Sequence, residues 1–308
     1  MNALAIPSLL FVAWRMYRLT AITRATTAAG ARIWATVAVV ACLVTAVCRL
    51  DVMAVTPRIG SVLQYLSAVL LLTPLIHVLG ARRPGITAWP WFVIFPLILV
   101  LQWPAASELL GNTSDAAIRI PSPTVIGFLL VLLMGSGNYF GTGCTTSMLC
   151  GVAAATLIVL PVTEWASFSA AWLFPLGCAM LASAAALLPP RFFLRDISVV
   201  SPSQLWSDFR DIYGIVWAKR VMDRVNQFAD REHWDVRLTL DGFEAVPADP
   251  AGASVGSLPA VRSSQFAPVE PSERSWQVLC WVLRRFVETE FLRRYLPNSV
   301  DLPDGPIN

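Results

Sequence analysis

The stretch Gly135-Ser-Gly-Asn-Tyr-Phe-Gly-Thr-Gly-Cys-Thr-Thr-Ser147 is where residue types and spacing come closest to chemistry. Gly135, Gly137, Gly141 and Gly143 alternate with Asn138, Tyr139, Thr142 and Thr145, which supplies backbone N–H groups and short polar side chains without any charge. Phosphate cradling would need G-x-G-x-x-G or a P-loop with its Lys, each after a strand; neither pattern is present and an apolar segment precedes this one. Two readings remain. One is a close helical turn, in which glycine permits unusual backbone angles and near approach of helices. The other is a lined site for a small solute.

His77 is the second candidate, because an ionisable group inside an apolar run could relay protons or ligate a metal or haem. Either ion would want another strong ligand, and the only other histidine, His233, falls in a polar tail. A neutral imidazole bonded to the carbonyl freed by Pro74 is the simpler expectation. There is no His-x-Glu or His-x-x-x-Asp pair, no Gly-x-Ser-x-Gly elbow and no pair of acids within an apolar run, so the chain reads as non-enzymatic, with no cofactor or metal, and a lipid-modifying enzyme is the least favoured class. No Asp, Glu or Lys lies inside an expected span, which argues against ion-coupled carriers.

These residues must be positioned by helices in a bilayer. The chain has 308 residues, 56% hydrophobic and 14% charged, and a mean hydropathy of +0.61, too apolar for an ordinary soluble domain. Residues 1–190 carry nine Arg and four acids, and residues 191–308 carry fourteen Lys plus Arg and sixteen acids. Nowhere is there the concentrated basic surface that nucleic acid requires. Cys42, Cys48, Cys144, Cys150 and Cys178 lie in or beside apolar runs, with no Cys-x-x-Cys pair, and are expected to pack as small hydrophobes.

Ala3–Trp14 is too short to span and is followed by Arg15, Arg18, Arg24 and Arg32; residues 1–32 are expected to lie along the interface. Apolar runs at about Ile33–Cys48, Val62–Gly80, Ala88–Trp103, Thr124–Met134, Met148–Leu160 and Phe168–Leu188 follow, with Pro104–Pro123 as a polar loop. A six-span domain over 33–190 is the expectation, and four spans plus a re-entrant hairpin at 124–160 the alternative. The Arg excess at 15–32, 82–83 and 191–195 places those segments, and both termini, in the cytoplasm. Trp34, Trp89, Trp91, Trp103, Trp165 and Trp172 near span ends suit an aromatic belt.

From residue 191 the pattern changes. Leu205, Phe209, Ile212, Val216, Val221, Val225 and Phe228 repeat at helical spacing between Pro202 and Arg231, with Asp208, Asp211, Asp223 and Asp230 alternating with Arg on what reads as a solvated face. Trp234–Leu240 alternates as a strand, Asp241-Gly242 is a turn, and Phe243–Val246 returns. Residues 247–272 read as a flexible linker, and Ser275–Leu296 as a second amphipathic helix. The fold class expected is an all-α transmembrane bundle of about six spans with a small cytoplasmic α+β C-terminal region (helix, β-hairpin, linker, helix). Its apolar faces, with Phe209, Ile212, Val216, Trp217 and Trp234 foremost, are candidates for docking on the membrane domain, a partner subunit or a second copy.

The run Asp208-Phe-Arg-Asp-Ile-Tyr-Gly-Ile-Val-Trp-Ala-Lys-Arg220, continuing to Trp234-Asp-Val-Arg-Leu238 and Asp241-Gly-Phe243, together with Leu79-Gly-Ala-Arg-Arg-Pro84 and Asn138-Tyr139, resembles a group of bacterial polytopic membrane proteins of unknown function. The resemblance implies a multi-pass protein of a bacterial inner membrane and transfers no catalytic residue. Function is expected to be that of an accessory or scaffold subunit; the alternative is a small-solute channel or carrier with its site at the Gly-rich hairpin.

Overall fold

The computed structural model describes residues 4–50, 55–81, 88–111, 115–166, 172–193, 202–246 and 272–295. The chain is mostly helical. The apolar runs form α1 (Ala5–Arg18), α2 (Thr20–Thr23), α3 (Ala29–Cys48), α4 (Pro57–Leu79), α5 (Ala88–Gly111), α6 (Ser122–Gly137), α7 (Thr145–Val159) and α8 (Leu173–Ala186). The polar remainder forms α9 (Pro202–Glu232), β1 (Val236–Leu238), β2 (Phe243–Ala245), α10 (Glu273–Leu283) and α11 (Thr289–Arg293). Among the described residues, four helices are long and apolar enough to cross a membrane: α3, α4, the Trp91–Gly111 part of α5, and α7 with its extension to Val162. The α6 and α8 helices are shorter and apolar.

Local chemistry sets the helix ends. The Thr56 side chain accepts from Ile59 N, and Pro57 occupies the first turn, where its missing N–H costs nothing. Pro74 lies inside α4 and frees the Leu70 carbonyl, which the Thr73 hydroxyl takes at 2.7 Å. That correction removes the role expected for His77. The α5 helix passes through Pro104 to Gly111, so the polar loop expected from Pro104 starts later; Arg58 donates to the Glu108 carbonyl at 2.5 Å and ties that last turn to α4.

The bundle core surrounds α4. Tyr65, Ala68, Val69 and Leu72 meet Cys42 and Ala46 of α3, Phe128 of α6, Ile158 of α7, and Phe174 and Cys178 of α8. Several polar groups within it pair with one another or with helix carbonyls: Tyr65 Oη donates to Leu101 O (2.8 Å), Gln64 Nε2 to Ile158 O (2.6 Å), and Thr45 Oγ1 bonds Ser67 Oγ (2.9 Å). A Cβ at Gly177 would meet Ile158 Cγ1 at 2.7 Å, which is why α7 and α8 can approach so closely.

The first helix packs one face along α8 and leaves Leu10, Trp14 and Tyr17 exposed. Ala5 and Leu9 join the core with Phe174 and Cys178, Val12 packs with Val39 and Ala185, and Arg15 Nε donates to Ala185 O at 3.0 Å. Thus α1 runs parallel to α8 inside the bundle.

In the C-terminal region the alternation around Asp241-Gly242 gives the expected antiparallel hairpin, with Val236 opposite Ala245 and Leu238 opposite Phe243. The single helix expected over Ser275–Leu296 is two, α10 and α11, and the segment between them forms an antiparallel bridge from Val287 to Thr26. The turn expected at Arg82-Arg83-Pro84 and residues 247–271 of the expected linker lie outside the described residues.

Candidate functional site

The Gly-rich joint is a tight turn between α6 and α7, stabilised by its own hydroxyls. Thr142 Oγ1 donates to Tyr139 O (2.7 Å), Thr145 Oγ1 to Thr142 O (2.8 Å), and Cys144 N to Thr142 Oγ1 (3.2 Å). Gly141 has φ 79°, a conformation L side chains rarely adopt. A Cβ at Gly135 would meet Leu75 Cβ at 2.7 Å, so α6 and α4 pack closely there. Gly137, by contrast, has open space where a Cβ would be.

Asn138 and Tyr139 are turned toward α9. That helix is interrupted at Gly214 (φ 79°, ψ 179°), where its backbone bonds cannot continue. Asn138 replaces them: Nδ2 donates to Tyr213 O (2.9 Å), Oδ1 accepts from Val216 N (2.9 Å), and Asn138 O accepts from Ile215 N (2.7 Å). Tyr139 Oη donates to Ile212 O at 3.2 Å.

Charge completes the junction. Asp208 and Asp211 are only 2% and 1% exposed, which corrects the expectation that they lie on a wet face; Asp223 and Asp230 do face water. The docked hairpin covers Asp211, and Arg191 and Tyr295 cover Asp208. Asp211 Oδ1 accepts from Gly143 N (3.0 Å) and lies 3.2 Å from Arg210 Nε, and Asp211 Oδ2 pairs with Arg191. Asp208 pairs with Arg191 Nε at 2.8 Å and accepts from Tyr295 Oη at 2.7 Å. Two carboxylates and two guanidinium groups balance, as buried charges must. Burial pushes the Asp208 carboxyl above the ordinary aspartate range, against the opposing pull of Tyr295 and Arg191.

Around this polar seam the apolar residues expected to face a partner pack within the same chain. Phe209 stacks on Tyr213 (ring centroids 4.7 Å apart) and meets Phe286 edge-on at 5.3 Å. Trp217 Nε1 donates to Val78 O at 2.9 Å, at the end of α4. Tyr213 Oη donates to Phe286 O and bonds Thr27 Oγ1, both at 2.9 Å, and Thr27 N and Glu288 N donate to Phe286 O and Ala25 O. Ile212 is half-buried. Of the five residues, Val216 stays exposed (42%) and Trp234 half-exposed.

His77 does not join the hairpin. Its ring fills the space beside Gly30, where a Cβ would lie 2.2 Å from Cε1, and its Nδ1 is buried without a hydrogen-bond partner among the described residues. Beneath the hairpin is a cavity of about 290 Å³, lined by α1, α3, α4, α7 and α8 and closed above by Tyr139, Asp211 and Ile212. No group of three or more His, Cys, Asp or Glu suited to a metal ion occurs among the described residues.

Sequence reading found the hairpin and α9 separately and missed the ionic seam that joins them. Arg191 reads as a simple stop after a span, and Asp208 and Asp211 read as a solvated face. The available signal was Gly214, a helix-breaking residue amid the helical repeat. No protein family, curated protein or solved structure matches this chain.

Proposed function

We propose that this protein is a non-enzymatic multi-pass membrane protein acting as an accessory or scaffold subunit of a membrane complex, its C-terminal region held rigidly against its own helical bundle. The observation that carries this reading is the use of Asn138: the side chain best suited to bind a solute at the Gly-rich hairpin is spent on the backbone of α9. Six crossings, α3 to α8, would form the bundle. Arg15, Arg18, Arg24, Arg32 and Arg191 would mark the cytoplasmic side of a bacterial inner membrane, with the C-terminal region on that side. Because α1 runs parallel to α8, it would add a short seventh crossing and put its beginning on the opposite side, unlike the expected arrangement with both termini in the cytoplasm.

A partner would have most room on α5, the least covered of the four long apolar helices, where Phe92, Phe95, Leu99, Val100 and Trp103 are exposed. Lipid or a partner helix would suit that face, since neither leaves a polar group unpaired. The test is affinity recovery from native membranes through a C-terminal tag. A stoichiometric partner or a homo-oligomer, lost when Phe92 and Leu99 are changed to Ala, is the expected result; recovery of a monomer alone overturns it.

The cavity beneath the hairpin favours one other reading, a small-solute channel or carrier. Solute flux in vesicles that Gly141→Leu leaves unchanged would remove it.

A further inference from the structure

The cavity under the hairpin has a chemistry that the scaffold reading does not use. Its wall is built from apolar and small side chains, among them Met16, Leu75, Met148 and Leu181, and Gly151 contributes a surface on which an added Cβ would meet nothing within 4 Å. A cavity lined in this way offers water few free polar partners and suits an apolar occupant.

One end differs. Asp211 reaches the cavity, but its carboxylate is committed to Gly143, Arg191 and Arg210, and Tyr139 Oη is committed to Ile212 O. Ser147 Oγ is spent on Ala184 O at 2.7 Å. Arg32 also lines the cavity, is half-exposed, and uses Nε on Thr23 Oγ1 at 3.1 Å; its two terminal nitrogens have no partner among the described residues. The unspent charge on the wall is therefore a cation on a half-exposed side chain, and the rest is hydrocarbon or polar groups already paired.

From this we infer that the cavity binds one acyl chain of an anionic phospholipid, with the chain among α1, α3, α4, α7 and α8 and the phosphate on the Arg32 guanidinium. The fork of a guanidinium matches a phosphate, and the bilayer around the apolar helices is the source of chains. The site would make a bound lipid part of the fold beneath the docked C-terminal region, whether or not the protein has a partner subunit.

The test is photolabelling of the full chain in vesicles with phosphatidylglycerol carrying a diazirine on one acyl chain, and with the matching phosphatidylcholine, followed by peptide mapping. Labelling of α1, α7 and α8 peptides by the anionic probe above the zwitterionic one is expected. Gly151→Leu should lower it by about tenfold, the equivalent of displacing roughly two buried methylenes. Ala35→Leu, from the facing wall, gives the same readout should Gly151→Leu fail to fold. Arg32→Gln should abolish the preference for the anionic probe while cavity labelling persists. Equal labelling by both probes, label confined to exposed α5 residues such as Phe92 and Leu99, or labelling unaffected by both filling substitutions would each overturn the inference. A partner lost in the affinity experiment leaves these readouts unchanged.

Discussion

The side-chain amide of Asn138 bridges the break in α9 at Gly214, donating to the carbonyl of Tyr213 and accepting from the amide of Val216. Each residue requires the other: a Cβ at position 214 would lie 2.2 Å from Asn138 Nδ2. The break in α9 is thus completed by a side chain from the turn between α6 and α7.

Asn138→Ala removes both side-chain bonds and leaves Tyr213 O buried and Val216 N part-buried without them, so docking should weaken by about 2–3 kcal/mol. Hydrogen exchange of the α9 amides would report it, with Ile215 and Val216 losing protection first. Asn138→Asp keeps an acceptor for Val216 N but sets a buried carboxylate oxygen against Tyr213 O, and should weaken docking at least as much.

Gly214→Ala places a side chain at φ 79° and ψ 179° as well as against Asn138. Backbone strain alone costs on the order of 1–3 kcal/mol in such a region, and the clash adds to it. Quenching of Trp217 fluorescence by aqueous acrylamide should rise sharply in this variant, because Trp217 is held against Val78 by the same docking.

Asp211→Asn leaves Arg191 and Arg210 facing a neutral group in a mostly buried seam. The loss should be about 2–4 kcal/mol, at the lower end of what breaking a buried pair costs because Arg191 retains Asp208 and some solvent. Replacing Asp211 with Leu together with Arg191→Met should recover part of that loss, measured as the midpoint of thermal unfolding in detergent.

Asp208 gives the junction a pH dependence. Burial raises its pKa above the ordinary 3.8, so between 3.8 and the raised value the folded chain binds more protons than the unfolded one. Stability in that window therefore falls as pH rises. The groups facing Asp208 are Arg191, Tyr295 and Asp211. Asp208→Asn keeps an acceptor for Tyr295 Oη and should flatten that part of the profile; a slope unchanged in the variant would assign it elsewhere.

The parallel arrangement of α1 and α8 predicts that a cysteine replacing Leu4 and one replacing Ala21, at opposite ends of the α1–α2 segment, react with an impermeant thiol reagent from opposite faces of a sealed vesicle. Both positions are exposed. Labelling of both from one face would put α1 along the surface.

The apolar runs at 33–48 and 62–80 were legible because composition alone decides a helix of that length and polarity, and the β-hairpin was legible because Asp241-Gly242 separates two alternating segments. The length of α5 was not, since Pro104 reads as a stop and the bond from Arg58 that ties the following turn comes from another helix. The place of α1 was hidden by its length, which is too short to span by count although its partner α8 is equally short. The ionic seam was hidden for a different reason. Asp208 and Asp211 alternate with Arg as any solvated helix face does, and only segments distant in sequence, the hairpin over Asp211 and Tyr295 over Asp208, turn that face inward.

The bridge between Thr26 and Val287 joins segments from the two ends of the described chain. During synthesis the strip around Ala25 and Thr27 emerges long before its partner at Phe286–Glu288, so it must wait, with its backbone groups unclaimed, while the helices between them are made. Closure therefore waits until the strip around Val287 has been made. A truncated product lacking α10 would carry a complete set of apolar helices and an open seam, and that seam is what a quality-control protease could use to tell an unfinished molecule from a finished one.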